Sequence, residues 1–203
     1  MVSQIKVNEI IKQSGSSITI GESGDTVSVP SGATLNVAGS TSGLPDNTPV
    51  FAAYLSNDSD QSITDSTVTK IQFDAERIDT AGAFDTSNYR FTVPSGQAGK
   101  YFITCEAKFS CSTQNTVVGT AVYIYKNGST YHSTNYTGAG YISGTQYNIL
   151  GNCLNVSTVI DLAEGDYIEG YGFIKVSSGT PKIQEGNDQS TWIEGFKLVW
   201  QVN

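Results

Sequence analysis

An all-β fold is what this sequence predicts: a ten-stranded jelly-roll sandwich head behind a short N-terminal β-repeat stalk. Three observations predict it. Apolar and polar residues alternate with a period of two through most of the chain after residue 48. Gly occurs 21 times while charged residues make up only 15% of the 203, the balance expected of strands joined by tight turns. Upstream, the short units Ile18-Thr19-Ile20, Val27-Ser28-Val29 and Leu35-Asn36-Val37 recur with Gly, Ser, Asp or Pro between them.

The leading segment, residues 1–37, is read as attachment region and stalk. Each unit buries only two side chains, which cannot offset about 1–2 kcal/mol per residue of backbone ordering. Partner chains must then supply the missing surface. Three segments wound about one axis would enclose Ile18, Ile20, Val27, Val29, Leu35 and Val37, which makes these the expected trimer contacts of the stalk. Ile5, Val7, Ile10 and Ile11 ahead of them suit a strand or one helical turn at an attachment point. Residues 38–48 form a linker rich in Gly, Ser, Thr and Pro, and residues 49–203 form the head.

Within the head, Tyr101, Ile103, Cys105, Ala107 and Phe109 alternate with Phe102, Thr104, Glu106 and Lys108 along one long strand, so one of the two sets faces the core. Val122 to Tyr125 runs into Lys126-Asn127-Gly128-Ser129, and Asn-Gly predicts a two-residue hairpin because both positions tolerate positive φ. Val156 to Leu162 and Tyr167 to Val176 are strands on either side of Glu164-Gly165-Asp166, and Trp192 to Trp200 is the final strand. Evenly spaced short strands of this kind build sandwiches and barrels.

The remaining composition narrows function. A net charge of −8 with no Lys/Arg cluster argues against nucleic acid as a partner. No stretch approaches the ~18 apolar residues of a membrane span, so no membrane insertion is expected. Cys105 and Cys111 lie six apart on one strand, ~20 Å if extended and beyond disulfide reach, so free thiols and assembly in a reducing cytoplasm are expected. His132, the one histidine, reads as an exposed loop residue among Tyr, Ser and Asn. The carboxylate pairs Asp74/Glu76 and Glu164/Asp166 read as solvated turn residues. Phosphate-loop, zincin and zinc-ribbon motifs are missing, and acidic loop residues such as Asp58, Asp60 and Asp65 are expected to be solvated. No catalytic residue, cofactor or metal is therefore assigned.

Several landmarks then fall in order. Val68-Thr69-Lys70-Ile71-Gln72-Phe73 runs through Phe84-Asp85 to Asn88-Tyr89-Arg90-Phe91-Thr92-Val93-Pro94 and on to Gly99-Lys100-Tyr101-Phe102-Ile103. Tyr125-Lys126-Asn127-Gly128, Leu162-Ala163-Glu164-Gly165-Asp166 and Thr191-Trp192-Ile193-Glu194-Gly195-Phe196 follow. In residue type and spacing this series resembles the globular head of complement component one q, a relative of tumour necrosis factor. The resemblance runs from about Pro49 to Val202 and implies a jelly roll that trimerises about a three-fold axis. Tyr101 on the long strand and Phe196 on the last are the natural contacts, because subunit contacts need apolar, well-packed faces. Ile103 stands where the family has an aromatic, and the Val-Pro-Gly before the long strand is loosened to Val93-Pro94-Ser95-Gly96-Gln97-Ala98-Gly99. Collagen triplets are absent upstream of Pro49. With the short β-units in their place, the combination resembles fibre and head-decoration proteins of tailed bacteriophages.

That resemblance implies a non-enzymatic virion-surface protein, assembled in the host cytoplasm. It would dock on other virion proteins through its N-terminal segment, and its head would bind a host-surface glycan or protein. Tyr131, Tyr136 and Tyr141 are the candidate receptor contacts, because Tyr among Ser, Thr, Asn and Gly resembles the composition of binding loops. Tyr123 and Tyr125, just before the Asn127-Gly128 turn, read as packed strand residues. Capsid or tail decoration is the alternative role, and a surface-polysaccharide depolymerase the third.

Overall fold

The computed structural model describes residues 10–11, 19–34, 48–56, 60–137, 151–185 and 190–198. The chain divides into two units, Met1–Leu44 and Pro45–Asn203.

In the first unit, two turns of one kind punctuate the described segment. The Asp25 amide donates to the Glu22 carbonyl and the Ala33 amide to the Pro30 carbonyl, both at 3.0 Å. Each turn has Ser-Gly at its centre, with φ of 96° at Gly24 and 84° at Gly32, the positive value that the third residue of a type II turn requires. Between and before the turns, Ile20, Val27 and Val29 are 66%, 65% and 47% exposed. Ile18, Leu35 and Val37 lie outside the described residues.

The second unit is all β among its described residues. Its strands are β1 (Val50–Tyr54), β2 (Gln61–Ser62), β3 (Thr69–Lys70), β4 (Ala75–Asp79), β5 (Phe84–Asp85), β6 (Arg90–Thr92) and β7 (Gly99–Cys111). They continue with β8 (Val117–Lys126), β9 (Ser129–Thr137), β10 (Gly151–Leu162), β11 (Tyr167–Val176), β12 (Pro181–Gln184) and β13 (Trp192–Lys197). Three of the thirteen, β2, β3 and β5, are two-residue pairings, so the ten longer ones match the expected strand number.

Every described pairing is antiparallel, and the strands divide into two sheets. In sheet A, β7 is the spine. Strand β10 lines one of its edges from Gly99 to Ser110, while β13 and β12 share the other edge end to end. Strand β1 follows β13, and β4 follows β1. Sheet B runs β5-β6-β11-β8-β9, with β3 also pairing with β11. The chain therefore changes sheet between β10 and β11, through the Glu164-Gly165-Asp166 turn.

The core lies between the sheets. The predicted alternation on β7 holds: Tyr101, Ile103, Cys105, Ala107 and Phe109 are all 0% exposed and face inward. Phe51 of sheet A stacks on Phe91 of sheet B at 4.2 Å and 10°, and Phe91 meets Tyr101 at 5.7 Å, so aromatic contacts tie one layer to the other. Gly170 on β11 permits this closeness, since a Cβ there would lie 2.8 Å from Phe73 Cε2 and 2.9 Å from Cys105 Sγ. None of the three cysteines is joined in a disulfide; Cys105 and Cys111 are buried and Cys153 is exposed. Burial, and then the charge of Glu106, push the Cys105 thiol far up, so it behaves as a small core hydrophobe.

The hairpin between β8 and β9 forms at the expected residues, with φ of 51° at Asn127 and 75° at Gly128. Asn127 is also tied across the turn: its Nδ2 donates to Asp166 Oδ1 at 2.7 Å, and its Oδ1 accepts from the Tyr167 amide at 2.9 Å. The last strand, expected to reach Trp200, ends at Lys197 within the described residues.

One contact residue needs correction. Tyr101 is wholly buried and its hydroxyl donates to the Gln97 carbonyl at 2.6 Å, so it has no surface for a neighbouring subunit. Alternation separates Tyr101 from Phe102, and it is Phe102 that faces outward, where its ring meets Phe196 at 5.6 Å. Strand register extends these two into a row across sheet A, from Val50 through Phe196 and Phe102 to Val159, the last 52% exposed.

Candidate functional site

The outer face of sheet B is built by the odd-numbered residues of β8 and β11, because their even-numbered neighbours Val122, Ile124, Ile168 and Ile174 fill the core. Register places Tyr125 opposite Glu169 and Tyr123 opposite Tyr171, and Lys70 of β3 lies on the other side of Tyr171. The rings of Tyr125 and Tyr171 stack at 4.0 Å and 23°, and Tyr123 meets Tyr125 edge-on at 6.2 Å and 88°. All three are half-buried.

A carboxylate sits among these rings. Glu169 is 5% exposed, and Lys70 Nζ donates to its Oε1 at 2.5 Å while the Tyr171 hydroxyl donates to its Oε2 at 3.3 Å. Such a charge is tolerable only because it is paired and hydrogen-bonded. Burial first, and then the Glu169 charge, push the Tyr171 hydroxyl up to about 12. Tyr123 is also raised, by burial and then by Tyr125. These phenols stay protonated and can donate as well as accept at neutral pH.

Lys70 also lines a cleft of about 430 Å³, with Leu55, Asp60, Gln61, Ser62, Thr69 and Gln72. Gln61 holds its wall in place: Nε2 donates to the Lys70 carbonyl at 2.8 Å and Oε1 accepts from the Gln72 amide at 2.9 Å. Asp60 faces Lys182 Nζ at 3.5 Å. Lys70 thus belongs to both the cleft and the strand pairing beside Tyr171.

The expected receptor contacts lie elsewhere. Tyr131 and Tyr136 are 46% and 51% exposed, but they stand on β9 and not in a loop, five positions and about 17 Å apart along the strand. His132 is on the same strand, exposed as expected though not in a loop. Tyr141 lies outside the described residues. Tyr123 and Tyr125 are strand residues as read, yet they face away from the core. The sequence reading passed over Tyr171 and Glu169, although a Glu and a Tyr on one face of the apolar strand Tyr167–Val176 carried the signal.

The carboxylate pairs are occupied structurally. Asp74 accepts from the Ser56 amide at 2.7 Å, while Glu76 lies in β4 and not in a turn. Glu164 accepts from the Gly96 amide at 3.0 Å. Asp166 is held down to about 2 by hydrogen bonds, those from Lys126 and Asn127 first. Among the described residues no three His, Cys, Asp or Glu side chains converge as metal ligands, and no helix is long and apolar enough to cross a membrane.

Comparison with solved structures decides the fold. An Eiger tumour necrosis factor from S. frugiperda superposes with a TM-score of 0.51 at 10% identity, over 76% of this chain and 94% of that one. The head has a tumour necrosis factor-like jelly-roll fold. The globular domain of a zebrafish complement 1qA protein matches with a TM-score of 0.47 at 14% identity, over 75% of this chain and 99% of that one. Murine APRIL matches at 0.49 and 16%, over 73% and 98%. No family model matches the chain, and no curated protein matches it. The jelly-roll expectation is thereby met, at identities that speak for the fold alone. In this tumour necrosis factor-like head, the stacked tyrosines lie on one sheet and the Phe102–Phe196 row on the outer face of the other.

Proposed function

We propose that the chain is a non-enzymatic structural protein on the surface of a tailed-bacteriophage virion. It acts as a homotrimeric fibre that docks on other virion proteins through its N-terminal segment and binds the host surface with its head. The observation that carries this reading is the exposure of Ile20, Val27 and Val29 around two turns of one geometry. A periodic segment that leaves its apolar side chains in water is complete only when like segments cover them. The outward row of Val50, Phe196, Phe102 and Val159 gives the head an apolar strip for the same association. Solution mass tests the assembly. Three chains per particle is the expected result, and a compact, protease-resistant monomer at high dilution overturns it.

The same exposed residues also suit a clamp on a major capsid or tail protein, which is the decoration reading. Removing residues 1–40 separates the two roles. Virion incorporation is lost in both, but only a fibre requires the isolated head to bind host cells. Bound cells support the fibre, and a head that binds none supports decoration.

A further inference from the structure

We infer that the cleft beside Tyr171, together with the Tyr125–Tyr171 stack, is the head's binding site for a neutral oligosaccharide of the host surface. The inference rests on the host-binding reading above and names its site and ligand class.

Size and chemistry agree. About 430 Å³ falls within the roughly 300–1,000 Å³ of small-ligand clefts, and the lining offers donors and acceptors side by side. Ser62 and Thr69 supply hydroxyls, Gln72 an amide, Asp60 a carboxylate and Lys70 an ammonium group. Sugar hydroxyls, which both donate and accept, match that mixture. Next to the cleft, Tyr171 and Tyr125 present ring surface with hydroxyl tips, on which the C–H face of a pyranose can pack against the negative quadrupole of the ring.

Charge selects among glycans. Lys70 is paired with Glu169, Asp60 with Lys182 at 3.5 Å, and Lys126 with Asp166 at 2.8 Å. The cations nearest the rings are therefore committed to carboxylates, and an acidic sugar would have to displace one of these partners. A neutral chain displaces none. A protein partner fits less well, since the cleft has Leu55 as its one apolar lining residue and otherwise polar side chains, whereas protein contacts need an apolar centre. The site is also built before the ligand arrives: Gln61 fixes the wall, and Glu169 fixes both Lys70 and Tyr171.

The test uses the full-length protein, titrated with neutral gluco-, manno- and galacto-configured tetrasaccharides and with sialyllactose, followed by amide chemical shifts and calorimetry. Saturable binding of a neutral probe is expected, with shifts at Lys70, Gln72 and Tyr171. Tyr125→Ala should weaken it by about ten-fold while Tyr125→Phe stays close to wild type, the loss expected for one stacking ring. Gln72→Ala, at an exposed side chain, should weaken it without altering secondary structure or mass. Binding confined to sialyllactose, unchanged affinity in both alanine variants, or shifts confined to Tyr131 and Tyr136 would each overturn the site. Host-cell binding separates the two levels. If wild type binds no cells, the host-binding reading fails and this inference with it; if the variants bind cells as well as wild type, only this inference fails.

Discussion

Phe102 and Phe196 meet at 5.6 Å and 40° on the face of sheet A that points away from the core, while Tyr101, one residue earlier, is wholly buried. Neighbouring positions on one strand thus have opposite duties. Phe102→Glu should therefore break the assembly to monomers in light scattering while leaving the β-sheet circular dichroism signal in place. A Phe102→Glu protein that keeps the wild-type mass would remove this face from the interface.

Tyr101→Phe should do the reverse. Loss of the hydroxyl bond to the Gln97 carbonyl should cost about 1 kcal/mol in denaturant melts, with the mass unchanged. A change of mass with no change of stability would return Tyr101 to the subunit contact.

Acid stability should depend on Asp166. Hydrogen bonds from Lys126 and Asn127 lower its folded value to about 2, against 3.8 for the free side chain. A carboxylate depressed in the folded state adds stability above its unfolded value, and that contribution is lost as pH falls from 3.8 towards about 2. Thermal melts should show a fall in Tm through this window, and Asp166→Asn should flatten that fall while lowering Tm at neutral pH. An unchanged acid profile in the variant would contradict the assignment.

Gly170→Ala should destabilise by about 1–3 kcal/mol, because the added methyl meets Phe73 and Cys105 in the closed core. Gly128→Ala should cost about 1 kcal/mol, chiefly through its φ of 75°, the added methyl meeting only the Tyr167 hydroxyl at 3.3 Å. The two differ in kind: shortening Cys105 to Ala should partly relieve the first and leave the second untouched. Double-mutant melts check both.

Much of the head was legible in the sequence because its signals are local. Period-two alternation marked β7, and Asn127-Gly128 marked the β8–β9 hairpin. Alternation does not say which of two aromatic faces meets the core, and that is why Tyr101 was placed at the subunit contact. The two-residue strands β2, β3 and β5 are too short to carry any period. The binding surface was hidden for a different reason: Lys70, Tyr125 and Tyr171 meet only through register between β3, β8 and β11, and register is set by the whole sandwich. A run of tyrosines close together in the chain drew the reading to Tyr131 and Tyr136 instead.

The spine strand β7 has a bearing on how the head is made. Its edge from Tyr101 to Glu106 stays open until β13 arrives, and β1 has no route into sheet A except through that same late strand. On the ribosome, sheet A cannot close before Lys197 has emerged, and the nascent head must hold back exposed edges for most of its translation. Any pause or truncation ahead of Trp192 should yield a sticky half-sandwich, so a correctly closed head depends on β13 being made.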